Sequence, residues 1–464
     1  MADSRPLAAD ATAIWKAAVA SVRSETLIEH RVHIEERDGV ATLHCGLSPV
    51  ALAPIQLSSF RRIVVVGAGK SCAGMAAGLE HALGDAWASR VGLTGWINVP
   101  DNCARPLSRL HLHPARPAGV NEPTQRAVAG TQEILKLVSQ CHPDDLVICL
   151  LSGGGSALLP CPTDGITLDD KLAVTRFLSG AGADIHHLNT VRKQLSQVKG
   201  GQLLRVCHAR RLVSLILSDV LGDPLDVIAS GPTVPNSSTA GDALQVLRGF
   251  PGSESHVPAA VWQMLERAAA TTPSASPTPG CAVENLIVGN NQMALDAAAA
   301  AAERLGYRTT VLPTVLREPA AEAIGGKLLD QAISMAHLAK QRWCLISGGE
   351  PTVQLVPSAQ RGRGGRNQQL VLAAICRWLA QSPAGEAPPF VLMSGGTDGE
   401  DGPTDAAGAI FSATTLKRLN ALGWDPEDYL RRNDAYPILD ATGSLLRTGP
   451  TDTNVCDVRV IVGG

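Results

Sequence analysis

Lys70 stands at the end of an apolar run and two glycines in VVVGAGKSCAGMA, Val64 to Ala76. A strand end, a glycine turn at Gly67 and Gly69 and a helix N-terminus present backbone N–H groups to an anion. An ammonium beside them adds a point charge for a transferring phosphoryl group. The stretch departs from two familiar nucleotide loops, because Val64 stands where a Walker A loop needs glycine and Cys72 where a dinucleotide fingerprint needs its third glycine. A second turn, LLSGGGSALLPCP, carries Ser152, Gly153, Gly154, Gly155 and Ser156 after another apolar run. Three glycines let a ligand touch the main chain there, and Ser156 could donate to an oxyanion. It is not a nucleophile elbow, since Leu158 occupies the place of the second glycine.

Basic residues gather in two places. HLNTVRKQLSQVKGG puts Asn189, Arg192, Lys193 and Lys199 on or beside one expected helix, with Asn189 at its cap and Arg192 and Lys199 on a shared face. The alternatives are a solvated face or a carboxylate or phosphate site lined by Asn189 and Lys193. RGRGGRNQQL alternates arginine and glycine before a helix, and Arg363 and Arg366 are candidates for bidentate phosphate binding, against a plain surface loop. Among the acids, Asp219 ends the apolar run of LSDVLGDP and could be a general base or a magnesium ligand. SGGTDGEDGPTDAAG supplies Asp398, Glu400, Asp401 and Asp405; twelve positions from Asp398 falls on Ala409, so a magnesium or substrate loop fits better than an EF-hand. The histidines, HLH at 111–113 and His186–His187, match no metal spacing.

The elements that must position these residues read as alternating strand and helix. Continuous apolar runs such as IVVVGAGK, LVICLLSGGGS, LVSLILSDVLGD and WCLISGGE argue for strands covered on both faces. Between them lie helical segments at 72–83, 168–178, 190–204, 292–305 and 368–380. The order predicts a doubly wound α/β architecture whose ligand crevice lies beyond the strands' carboxyl ends. At 464 residues two domains are expected, 1–270 and 281–464, joined near the linker-like TTPSASPTPG at 271–280. A last strand within 454–463 could close either sheet. The formal charge of -3 and 3% aromatic content carry no footprint for nucleic acid. Eleven cysteines without a C-x-x-C pair suit a reducing compartment. Asp3 and Asp10 argue against a leader peptide, and no apolar stretch reaches membrane-spanning length, so a cytoplasmic protein with no membrane partner is expected.

Taken together the motifs resemble one family, the glycerate 2-kinases that join a glycerate-kinase N-terminal domain to a C-terminal MOFRL domain. VVVGAGKSCAGMA, LLSGGGSALLP, LNTVRKQLSQVKGGQL, LILSDVLGDPLDVIASGPT, GGEPTVQL, GRGGRNQQL, SGGTDGEDGPTDAAGA, NDAY and TGPTDTNVCD occur in family order over nearly the whole chain. The resemblance implies a larger Rossmann-like domain, a smaller α/β MOFRL domain and a site in the cleft between them. It implies transfer of the γ-phosphate of ATP, with Mg2+, to the 2-hydroxyl of D-glycerate. Lys70 and Arg366 are implied to be catalytic and to meet the ATP phosphates. Asn189, Lys193 and the Gly153–Ser156 turn would meet the substrate carboxylate, and Glu350, Arg363 and Asn367 join Asp398 in the binding set. Asp219 would polarise the accepting hydroxyl or hold magnesium, with Asp398 its rival in both roles. A monomer or homodimer is expected. The rival enzyme class is an NAD(P)-dependent hydroxypyruvate reductase, which lacks here both the third glycine and an acid about 20 residues on to hold the ribose; a small-anion sensor leaves the clustered acids unexplained.

Overall fold

The computed structural model describes residues 6–47, 50–120, 122–271, 280–382 and 386–464. Two compact units divide it: Ser24–Val288, and Gly289–Gly464 together with the N-terminal helix Leu7–Ser21. This differs from the expected split at 271–280, most of which lies outside the described residues. The strand Ala282–Gly289 joins the first unit's sheet beside Arg211–Leu217. The helix Leu7–Ser21 packs instead on Asn291–Arg304 and the strand Asp457–Gly463. Its Ile14, Trp15 and Ala18 are buried, and Trp15 Nε1 donates to Gly395 O at 3.2 Å. An apolar stripe goes where it finds core, whatever its distance in sequence.

In Ser24–Val288 the main sheet has the order Ala282–Gly289, Arg211–Leu217, Asp145–Leu151, Arg62–Ala68, Thr94–Pro100, Leu110–Arg116. The last five are parallel. All seven residues of Asp145–Leu151 are buried, as a strand covered on both faces requires. The chain steps outward from Arg62–Ala68 to Leu110–Arg116, then returns to the other side of its first strand at Asp145–Leu151. That reversal is a topological switch point, where open α/β sheets bind ligands beyond the strands' carboxyl ends. The helices Leu168–Gly180, Ile185–Gln194, Ala240–Arg248 and Ala259–Ala270 share a separate core that includes Val174, Leu178, Val191, Leu195, Leu247 and Leu265. Each such side chain contributes about 1.5–3 kcal/mol on burial, so this core holds Ile185–Gln194 in a set orientation.

The helix expected over 190–204 is broken. Ile185–Gln194 starts earlier, capped by Asp184, whose carboxylate accepts the His187 N–H at 2.9 Å. Gly200 and Gly201, at φ 61 and 76, then turn the chain into a short helix, Gln202–Val206. Asn189 is therefore inside the helix and not its cap.

The other unit holds a mixed sheet in the order Arg308–Val311, Trp343–Gly349, Asp457–Gly463, Phe390–Gly396, Gly408–Phe411, Leu445–Leu446. The last strand of the chain enters its middle, antiparallel to both neighbours. Asp457 thereby pairs with both Gly349 and Gly396, the glycines that end the neighbouring strands. No helix among the described residues is long and apolar enough to cross a membrane.

Candidate functional site

At the switch point the Gly69–Ser71 turn is not an open anion cradle. Gly69 N–H donates to Asn98 O at 3.2 Å, Lys70 N–H to Gly153 O at 2.8 Å and Ser71 N–H to Ser152 Oγ at 3.0 Å. The expected phosphate donors are spent on tying this turn to the strand Thr94–Pro100 and to the turn after Asp145–Leu151, which corrects the reading of the loop as a cradle. Gly67 and Gly69 serve that close approach: a Cβ would stand 2.2 Å from Leu150 O at Gly67 and 2.0 Å from Ser152 Oγ at Gly69. Ser152 is buried in the same lock. What the turn offers a ligand is the half-buried Lys70 side chain. Gly154, at φ 76, lies against it: an added Cβ would stand 3.5 Å from Lys70 Cγ and 3.1 Å from Arg116 Nη2. Arg116, which also donates to Val120 O, is thus a second cation beside the Gly153–Gly155 turn, one that sequence reasoning missed.

Ser156 sits against two basic side chains. Its Oγ lies 2.6 Å from Lys199 Nζ, accepts from Arg192 Nη2 and sits 3.1 Å from Ser230 Oγ. Lys199 Nζ also donates to Ser156 O at 2.8 Å, and Ser230 Oγ donates to Asn189 Oδ1 at 3.0 Å. Arg192 and Lys199 therefore converge, but through a chain break rather than along one helix face. Ser230 and its neighbour Ala229 hold left-handed backbone at φ 62 and 51, a strain of about 1–2 kcal/mol per residue that persists where surroundings over-determine it. Burial lowers the Arg192 pKa and takes Lys199 well below the ordinary lysine value, with repulsion from Arg192 and Lys171 adding to it. Among the described residues neither Arg192 nor Lys199 has a carboxylate partner, whereas Lys193 pairs with Asp226 at 3.3 Å. Asn189 Nδ2, also buried, has no acceptor among the described residues. Asp219 follows the strand Arg211–Leu217 and so stands at the same sheet edge as Lys70 and Ser156.

In the other unit Arg366 is the first residue of the helix Arg366–Gln381. Its guanidinium grips Asp457 in two places, Nε to Oδ2 at 2.8 Å and Nη2 to Oδ1 at 2.9 Å, and gives Nη1 to Glu350 Oε1 at 2.7 Å. Burial works against that charge, but the Asp457 carboxylate outweighs it and holds the Arg366 pKa above its ordinary value. Asp457 was missed in the sequence because its partner strands are set by tertiary pairing. A Cβ on Gly396 would lie 3.3 Å from Asp398 Oδ1 and 3.5 Å from Asp457 Oδ1, so the bare glycine lets both carboxylates approach. Asp398 Oδ1 also accepts the Glu400 N–H at 3.1 Å. Carboxylate oxygens are the hard donors that suit a magnesium ion which keeps waters and phosphate oxygens among its ligands. An all-protein cage is absent: no group of three or more His, Cys, Asp or Glu side chains is arranged for a metal among the described residues.

The remaining candidates of this unit hold the loops. Asp401 caps the helix, accepting Asn367 N–H at 3.0 Å and Gln368 N–H at 2.9 Å, while burial pushes its carboxyl up to about 7. Asn367 is buried between Asp401 and Ser394, which corrects its place in the binding set to that of a strut. Arg363 stacks its guanidinium 4.1 Å over the Tyr436 ring and donates to Pro403 O at 3.2 Å. Asp405 is tied to Arg447 and Tyr436. Beside Arg366 opens a cavity of about 370 Å³ whose apolar walls include Val353, Leu355 and Pro403.

Residues 10–266 match the family described as a domain of unknown function, DUF4147, and residues 343–457 match the MOFRL family. The D-glycerate 2-kinase of Thermotoga maritima is 38% identical over 405 residues, covering 86% of this chain and 90% of that protein. A putative hydroxypyruvate reductase of Agrobacterium vitis is 38% identical over 410 residues, covering 87% of this chain and 100% of that protein. The crystal structure of glycerate kinase from Thermotoga maritima is similar at a TM-score of 0.79 and 33% identity, covering 99% of this chain and 100% of that one. On these identities, extending over both matched domains, the chain belongs to the glycerate kinase family of DUF4147 and MOFRL domains.

Proposed function

We propose that this chain transfers the γ-phosphoryl group of ATP to the 2-hydroxyl of D-glycerate, giving 2-phospho-D-glycerate and ADP. The observation that carries the reading is the cluster of Arg192, Lys199, Ser156 and Asn189, which holds cations and a spare amide donor but, among the described residues, no carboxylate, beside the switch point of a parallel sheet. A small carboxylate neutralises such a cluster, with Lys193 at its margin. The glycerate hydroxyl then attacks the γ-phosphorus in line, the bond from that phosphorus to the β,γ-bridging oxygen breaks, and the hydroxyl proton passes to Asp219. Lys70 and Arg366 are the cations we assign to the charge on the transferring group, where positioning and electrostatics supply most of the rate. Asp398 and Glu350 are the residues that would hold magnesium, which when bound neutralises charge on the β- and γ-phosphate oxygens. The apolar cavity beside Arg366 is of a size for the nucleoside.

The reductase reading gains nothing from the Gly69–Ser71 turn, whose N–H groups are already taken. Phosphorus NMR after incubation with D-glycerate and Mg-ATP tests the proposal by the appearance of 2-phosphoglycerate. Oxidation of NADH by hydroxypyruvate without coupling enzymes, and no phosphoglycerate, would reverse it. We place the enzyme in the cytoplasm, where ATP is abundant and all eleven cysteines stay as the free thiols found here, as a monomer or homodimer.

A further inference from the structure

Lys171 takes no part in the motifs above and is a buried charge. It is the fourth residue of the helix Leu168–Gly180, on one face with Val174 and Leu178, the side turned toward Ile185–Gln194. It is 7% exposed, and among the described residues its Nζ has no hydrogen-bond partner. Its neighbours are cations: Arg192 opposes its charge, and Lys171 in turn opposes that of Lys199. Lys171, Arg192 and Lys199 form no ion pair among the described residues. Burying an unpaired ammonium is among the costliest things a fold can do, and it is relieved by a partner anion. Asn189 Nδ2, a neutral donor without an acceptor among the described residues, lies in the same helix pair.

We propose that Lys171 is a positioning residue for the substrate carboxylate, adding its field behind Arg192 and Lys199 so that a small hydroxyacid anion, rather than a neutral polyol, is held at Ser156. This rests on the glycerate reading for the identity of the anion, and not for the existence of the cation cluster. The carboxylate is the shared neutraliser of all three cations, which explains why no protein acid stands among them.

The test compares wild type with Lys171→Met, which keeps length and volume while removing charge, and with Lys171→Arg. Two readouts are taken: steady-state kinetics with D-glycerate and Mg-ATP, and the melting-temperature shift given by D-glycerate alone. Lys171→Met is expected to raise the KM for D-glycerate by about tenfold or more while kcat stays within about threefold and the KM for ATP is unmoved. The D-glycerate melting shift is expected to disappear, and Lys171→Arg to restore most of it. An unchanged KM and an unchanged melting shift in Lys171→Met overturn the assignment while leaving the kinase reading intact. A raised KM for ATP alone also overturns it, by giving the pocket to a nucleotide phosphate. If wild type is shifted by D-glycerate but does not phosphorylate it, and the shift vanishes in Lys171→Met, the anion pocket stands and the kinase reading falls. No shift and no turnover in wild type sink both.

Discussion

Without ligand, Lys171 must be a liability whose size follows from its burial. Desolvation first, then repulsion from Arg192, brings its pKa down from 10.5 to about 7, with the buried Cys161 thiol the one opposing influence. A depression of that size, at roughly 1.4 kcal/mol for each pKa unit, amounts to about 5 kcal/mol of lost stability when the native state must carry the proton. The direction is fixed by which state binds protons. Between pH 7 and the ordinary lysine value the unfolded chain holds a proton that the native chain has released, so stability contributed at this site rises with pH across that window. Below pH 7 both states are protonated and the penalty is present in full. Lys171→Met abolishes it. Urea denaturation followed by circular dichroism at pH 6.5, 8 and 9.5, without substrate, should therefore find the variant more stable by several kcal/mol at the lowest pH. The difference should shrink by about 1.4 kcal/mol for each pH unit above 7. A variant less stable than wild type, or a difference that does not change with pH, refutes the account of Lys171 as an uncompensated buried charge.

Other expectations can be checked by steady-state kinetics with D-glycerate and Mg-ATP. Asp219→Asn should lower kcat by about a hundredfold or more if it takes the hydroxyl proton, whereas Asp398→Asn should chiefly raise the magnesium concentration needed for half-maximal rate; the reverse pattern exchanges their roles. Arg366→Lys cannot reproduce the two-point grip on Asp457 and should cost about 10³ in kcat, a loss of less than tenfold being evidence that Arg366 is only structural. Gly154→Ala puts a Cβ into left-handed backbone at φ 76 and against Arg116 and Lys70. It should cost about 1–2 kcal/mol in stability and lower activity beyond what that loss explains; wild-type kcat in a folded variant would detach Lys70 from the chemistry.

Much of the fold is legible before any coordinates, because continuous apolar runs closed by glycine are local signals and the strands at Arg62–Ala68 and Asp145–Leu151 carry them. Local signals also locate Lys70, Ser156 and Arg366. They fail where two segments must be compared. Nothing inside Asp457–Gly463 distinguishes a parallel from an antiparallel place in a sheet, since all seven residues are buried in either case, so the carboxylate that grips Arg366 stays invisible until the strand is paired. Asn189 and Asp184 are both competent caps, and only packing of Val191 and Leu195 on Val174 and Leu178 selects the phase that buries Asn189.

Lys171 shows what a closer reading of periodicity can reach and where it must stop. In TLDDKLAV the Thr167 hydroxyl and the Asp170 carboxylate form a capping box that starts the helix at Leu168. The helical repeat from that start sets Lys171 on the stripe of Val174 and Leu178. A lysine on an apolar stripe is thus readable from spacing. That its ammonium meets Arg192 and Lys199 instead of an acid is not, because those residues arrive from a different helix and from beyond that helix's end. The sign of a buried charge's surroundings is a property of the tertiary structure, and it is that sign which turns a misplaced lysine into a prediction about which ligand charge the pocket selects.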